Sequence, residues 1–155
     1  MRQNDLATMK KRVYEKKRCE KKENGERKME NGGGKVENKI EKFEDLEVWK
    51  ESMRLALEIY TNFKTSKDYG LKNQIQRSAV SIPSNIAEGY ERGSNKEYIQ
   101  FLNYSKGSCA ELRTQLYIAK RNGELKKSVG NKYIETTQKI SAMLYKLIKV
   151  RKEKF

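Results

Sequence analysis

The only proline of the chain stands inside what otherwise reads as a helix, Ser78-Ala79-Val80-Ser81-Ile82-Pro83-Ser84-Asn85-Ile86-Ala87-Glu88-Gly89. A proline there deletes one backbone hydrogen bond and crowds the carbonyl of Ala79, at a cost of about 3 kcal/mol in an unadapted helix. The neighbouring serines offer that carbonyl a donor, so a kinked helix is expected and not a broken one. On a helical wheel Ile82, Ile86, Ala79, Pro83, Ala87 and Val80 cover an arc of about 160°, wider than the stripe of about 100° that one core requires. This helix is therefore expected to pack against a second neighbour besides its own bundle. Asn85 falls at a core-type position, where a buried amide fixes register and assembly state. Glu88 is expected to accept hydrogen bonds from Asn85, Ser81 or a basic residue such as Arg77.

The flanking stretches carry the same period. Leu46, Trp49, Met53, Ala56, Tyr60 and Phe63 alternate at three and four, with Val48, Leu55 and Ile59 widening the face, and predict a first helix over about 45–64. Asp45 is its expected N-cap, and Trp49 a core anchor. The proline-bearing helix is predicted over about 66–91, with Gly93 in the left-handed position after it. Ser94-Asn95-Lys96-Glu97 then forms a capping box that opens a third helix over 95–122, ending near Gly123. Cys109 reads as a small buried hydrophobe in that helix. A fourth helix spans about 128–152, with Tyr133, Ile140, Met143, Leu144, Leu147 and Ile148 on one side and Lys132, Lys139 and Lys146 at seven-residue steps on another. Connections this short make neighbouring helices antiparallel, so the fold class is all-α, an up-down-up-down four-helix bundle over 43–155.

Residues 1–42 differ. They hold 14 basic and 8 acidic residues with almost no apolar period, and Gly32, Gly33 and Gly34 interrupt them. A disordered, charged tail is expected there. Excluding it leaves the bundle at 21 basic and 13 acidic residues, so the excess of the whole chain, +14, is not confined to the tail. Such a balance points to a polyanionic partner. No run of apolar residues suits a membrane span or the core of a signal peptide, and a soluble, cytoplasmic protein is expected. Cys19 and Cys109 are too few and too far apart for a disulfide framework or a zinc site.

Three blocks, Phe43-Glu44-Asp45-Leu46-Glu47-Val48-Trp49, the run from Gln76 to Gly89, and Gly107-Ser108-Cys109-Ala110-Glu111-Leu112, resemble the bacterial four-helix-bundle family known from proteins encoded in intervening sequences of 23S ribosomal RNA genes. The likeness covers about residues 43–150. Its centre is Ser81, Ile82, Pro83, Asn85, Ile86, Glu88 and Gly89, taken as an assembly or structural motif. The resemblance implies a closed bundle that assembles into a ring-like homopentamer. It extends to the accessory protein of diversity-generating retroelements, which partners a reverse transcriptase and nucleic acid. The family motif carries no catalytic residues. Lys64-Thr65 stands where relatives often place a proline at the start of the second helix, and the lysine-rich front has no counterpart in the family pattern.

Three functions follow as expectations. The first is a non-catalytic, oligomeric protein binding structured RNA, with Arg113, Lys120, Arg121, Lys126, Lys127, Lys132, Lys139 and Lys146 as phosphate contacts. The second is a protein-interaction scaffold for a reverse transcriptase or other RNA-processing protein, using the wide apolar face of the second helix. The third, an enzyme, is disfavoured. The chain has no histidine, which removes the commonest general base and metal ligand. Glu88 and Glu111 mimic a carboxylate pair, but a di-metal bundle site also uses histidines. No cofactor or metal is expected.

Overall fold

The computed structural model describes residues 40–154. The charged tail expected over residues 1–42 therefore lies almost wholly outside the described residues. A 3-10 turn, Phe43–Asp45, leads into four helices: α1 Glu47–Asn62, α2 Tyr69–Glu91, α3 Asn95–Arg121 and α4 Lys127–Lys154. Side-chain pairs between neighbours run in opposite order along each partner, so all adjacent helices are antiparallel. Ser78 meets Gln115 and Ser81 meets Ser108 between α2 and α3, Asn95 meets the Arg151 carbonyl and Lys120 meets Asn131 between α3 and α4, and Lys132 and Lys139 meet Glu58 and Glu51 between α4 and α1. The pairs α2/α3 and α3/α4 pack most extensively and α1/α4 least. The result is the expected four-helix bundle.

Helix ends follow local chemistry, with three departures from the sequence reading. Asp45 does not cap α1. Its carboxylate accepts from the backbone N–H groups of Glu41 and Lys42 (3.2 and 3.3 Å) and so closes the 3-10 turn, while Leu46 occupies the α1 N-cap without a side-chain bond. The second helix starts three residues later than expected, because Asp68 accepts from the Leu71 N–H (3.0 Å) and fixes the first turn there. Gly93 is not in the left-handed region. Arg92 ends α2 by turning extended (φ −71°, ψ 140°), and Gly123, at φ +86°, is the one residue of positive φ among those described. Ser94 does cap α3, accepting from the Glu97 N–H (3.2 Å) and donating its hydroxyl to the Glu97 carboxylate (2.8 Å).

The core consists of Leu55, Ile59, Phe63, Ile75, Ile82, Ile86, Leu102, Leu112, Leu116, Tyr133, Ile140 and Leu144, with Cys109 fully enclosed among them. Burial pushes the Cys109 thiol up to about 12, which keeps it an inert hydrophobe. On α1 the buried stripe is Val48, Ser52, Leu55, Ala56 and Ile59. Trp49 and Met53 are only partly buried and Tyr60 is exposed, so the expected seam is rotated by roughly one position. Ser52 occupies the core stripe at little cost because its hydroxyl donates to the Trp49 carbonyl (2.8 Å).

Helix α2 passes through Pro83 without interruption. The serines around it do not serve the Ala79 carbonyl as the sequence reading has it. Ser84 donates to the Val80 carbonyl (2.9 Å), and Ser105 of α3 donates to that of Ile82 (2.9 Å). Pro83 is held by being buried against α1. The partly buried Asn85 amide turns back on its own helix, donating to the carbonyl and hydroxyl of Ser81 (2.8 and 3.0 Å). Ser81 carries that link across to Ser108 (2.9 Å), and Ser78 donates to Gln115 Oε1 (2.6 Å) deeper in the seam.

At the far end of this seam the two backbones close in on Gly89. A Cβ there would lie 2.6 Å from Phe101 Cβ and 3.1 Å from Tyr98 Cδ2. Because the obstacle is a Cβ close to the backbone, the helices themselves must separate. Gly89→Ala is expected to destabilise the fold by about 1–3 kcal/mol in urea denaturation. Gly107→Ala, where a Cβ meets nothing within 4 Å, is expected to stabilise by up to about 1 kcal/mol, since an alanine loses less backbone entropy than glycine in a helix.

Candidate nucleic-acid interface

The eight basic residues singled out from the sequence separate into three places. Lys132 and Lys139 project from α4 toward α1, where Lys132 Nζ lies 2.7 Å from Glu58 and Lys139 Nζ 3.0 Å from Glu51. They stitch the helix pair with the least packing. Arg121, Lys126 and Lys127 are exposed around the α3–α4 connection at one end of the bundle. Arg113, Lys120 and Lys146 belong to the α3/α4 side.

That side holds a groove of about 570 Å³ lined by Lys106, Arg113, Gln138, Ser141, Ala142, Tyr145, Lys146 and Lys149, and no acidic residue is among its lining. The α3 contribution comes from heptad spacing, with Lys106, Arg113 and Lys120 following one another at seven-residue steps down the edge that faces α4. The α4 contribution comes from Gln138, Ser141, Tyr145 and Lys149, which recur at three and four. Lys106 Nζ sits 5.5 Å from the centre of the Tyr145 ring. Further along, Lys120 donates to Asn131 Oδ1 (2.9 Å) and lies 5.2 Å from the Tyr117 ring. Lys149 has Glu153 at 3.8 Å, an exposed pair of little strength. The sequence reading missed Lys106 and Tyr145 as site residues. The α3 heptad would have signalled Lys106, whereas nothing local marks Tyr145.

A second groove, about 260 Å³, opens between α1 and α2. It is lined by Trp49, Met53, Leu57, Tyr60, Val80, Pro83 and Ala87 with Ala56 and Ser84. Leu57 is 62% exposed, Tyr60 47% and Val80 40%. Of the lining residues, Trp49, Met53 and Tyr60 are those of the expected α1 seam that its rotation turns out of the core.

Of the partners expected for Glu88 a basic residue is the one found, though it is Arg92 and not Arg77: Arg92 Nη2 donates to its carboxylate at 2.6 Å. Glu111 accepts from Gln115 Nε2 (3.1 Å). The α2/α3 register places Glu111 opposite the region between Ser78 and Ser81, about 12 Å along the axis from Glu88. The two carboxylates do not form a pair. Among the described residues no three His, Cys, Asp or Glu side chains gather as a metal-holding set. No helix there is long and apolar enough to cross a membrane.

The family model of the 23S rRNA-intervening sequence protein matches residues 44–146, the 3-10 turn and nearly the whole bundle. The chain belongs to that family. Its fold is similar to the crystal structure of a protein of unknown function from the S23 ribosomal protein family of Bacteroides thetaiotaomicron, at 24% identity and a TM-score of 0.63. That likeness covers 66% of this chain and 98% of the other. No curated protein matches the chain. In this family member Ser81, Asn85 and Gly89 of the motif lie along the α2/α3 seam, whereas Pro83 is turned to α1.

Glu51, held by Arg54 of its own helix and by Lys139 of α4, has a pH signature. Hydrogen bonds from Arg54 and then Lys139 hold the Glu51 carboxyl below its ordinary 4.5, outweighing its desolvation. A lowered carboxyl contributes stability that is complete above about 4.5 and is lost as pH falls through the lowered value. Glu51→Gln is therefore expected to be less stable than the native chain at neutral pH, and to lose less further stability between about pH 5 and about pH 3, as followed by thermal unfolding.

Proposed function

We propose that this protein binds RNA without catalysing a reaction on it, gripping the phosphate backbone of structured RNA with the α3/α4 side, and that it does so as an assembly of several copies. The observation that carries the reading is the groove in which Lys106, Arg113, Lys146 and Lys149 converge with no acid in the lining. Cations so placed attract a polyanion and release its counterions on contact, which gives affinity without sequence preference. The family description, a protein of 23S rRNA intervening sequences, supports RNA as that polyanion. The non-catalytic part of the reading is supported by the absence of histidine and by the separation of Glu88 from Glu111.

Copies would join through the apolar groove of α1 and α2, burying Leu57, Tyr60 and Val80. The resemblance described above supports five copies in a ring. The same groove favours a second reading, a scaffold that docks a reverse transcriptase or another RNA-processing protein there and touches RNA incidentally. Ionic strength separates the two.

Binding of a labelled RNA hairpin, followed by fluorescence anisotropy, is expected to weaken steeply from about 50 to about 200 mM salt. Replacing Lys106, Arg113, Lys146 and Lys149 together by Gln is expected to lower the slope of log affinity against log salt by about 3. Lys132→Gln with Lys139→Gln is expected to change it less, since those charges are already paired. Affinity that is weak or absent at low salt would leave the scaffold reading ahead. For assembly, light scattering of the native chain is expected to return a multiple of the 18.2 kDa chain mass. Leu57→Glu with Val80→Glu is expected to return a single chain with unchanged helical circular dichroism. A native chain of single mass would rule the assembly out.

A further inference from the structure

We infer that the α3/α4 groove takes an unpaired stretch of RNA, with one base stacked on the Tyr145 ring and the adjoining phosphates on Lys106, Arg113 and Lys146. The inference rests on the RNA-binding reading above and narrows it from RNA in general to single-stranded segments. Tyr145 is 58% exposed and lines the α3/α4 groove. Its place is on the rim of the cationic groove, and its ring has a lysine ammonium 5.5 Å from its centre.

A phosphate-binding surface for duplex RNA needs no aromatic ring. The bases of an A-form helix are stacked on one another, and the shape of the duplex is read through its phosphates and 2′-hydroxyls. An exposed ring among cations is the combination that holds single strands, because every base has a face to stack while lysine and arginine track the backbone. The arrangement recurs along the same side, where Tyr117 is 40% exposed and Lys120 lies 5.2 Å from its ring. Lys106, Arg113 and Lys120 span 14 residues of α3, about 21 Å of helix. At a rise of about 3.4 Å per stacked nucleotide, that length matches about six nucleotides of one strand. Loops and bulges of a folded RNA present such stretches.

The test compares an oligouridine strand with a blunt RNA duplex of the same number of phosphates, both titrated with the full chain at one low salt concentration. The strand is expected to bind more tightly. Tyr145→Ala is expected to weaken the strand about ten-fold and leave the duplex and the salt slope unchanged, because stacking is lost and no phosphate contact is. Tyr145→Phe, which keeps the ring, is expected to bind the strand like the native chain. Lys146→Gln is expected to weaken both RNAs and to lower both slopes by about one. Equal binding of strand and duplex with no effect of Tyr145→Ala would overturn the inference and leave the RNA-binding reading standing. Failure of both RNAs to bind would overturn the two together.

Discussion

The close approach of α2 and α3 is the contact on which the rest of the bundle depends. Serines at 78, 81, 105 and 108 and glycine at 89 keep the seam thin, and each of these serine hydroxyls finds a hydrogen-bond partner, so the serines pack there without being stranded. Small polar side chains serve here better than larger apolar ones. They permit the short distance, and their hydrogen bonds replace those that water would have made. Within the run from Ser81 to Gly89, the Asn85 amide donates to the carbonyl and hydroxyl of Ser81 along one helix, and Gly89 clears room for Phe101.

That thin seam leaves the bulk to the other interfaces. Pro83 lies on the side of α2 turned to α1, where it lacks an N–H and needs none, and where its ring forms the floor of an apolar groove. Both ends of the bundle are closed by contacts between distant parts of the chain. Ser66 donates to Glu124 (2.7 Å) at one end. At the other, Phe43 meets Trp49 and Tyr90 edge-on, Tyr90 meets Tyr98, and Arg151 lies over the Tyr98 ring at 4.7 Å. The 3-10 turn that Asp45 secures is what brings Phe43 into this cluster.

Charge is distributed by the same geometry. Helix α1 carries Glu51 and Glu58 on the edge that meets α4, and two of the α4 lysines are spent against them. No equivalent acids line the α3/α4 groove, so Lys106, Arg113, Lys146 and Lys149 gather there as a group. A uniform excess of positive charge in the sequence thereby becomes a bundle with one neutralised edge and one strongly basic one.

Much of this could be read from the chain alone, because it depends on neighbours in sequence. The four helices, the Ser94 cap, the left-handed Gly123 and the antiparallel order follow from residues within a few positions of one another, and short connections allow no other order. The rotation of the α1 stripe could not be read, because Trp49, Met53 and Tyr60 share the apolar period of the true core face and only the position of α2 decides between them. Nor could the partners of Glu88, Lys132 and Lys139, or the meeting of Tyr145 with Lys106, which lie 39 residues apart in the sequence. Local periodicity fixes which side chains share a face of one helix. Which of two adjacent faces is covered, and which charges are left unmatched, is settled by the packing of helices against one another.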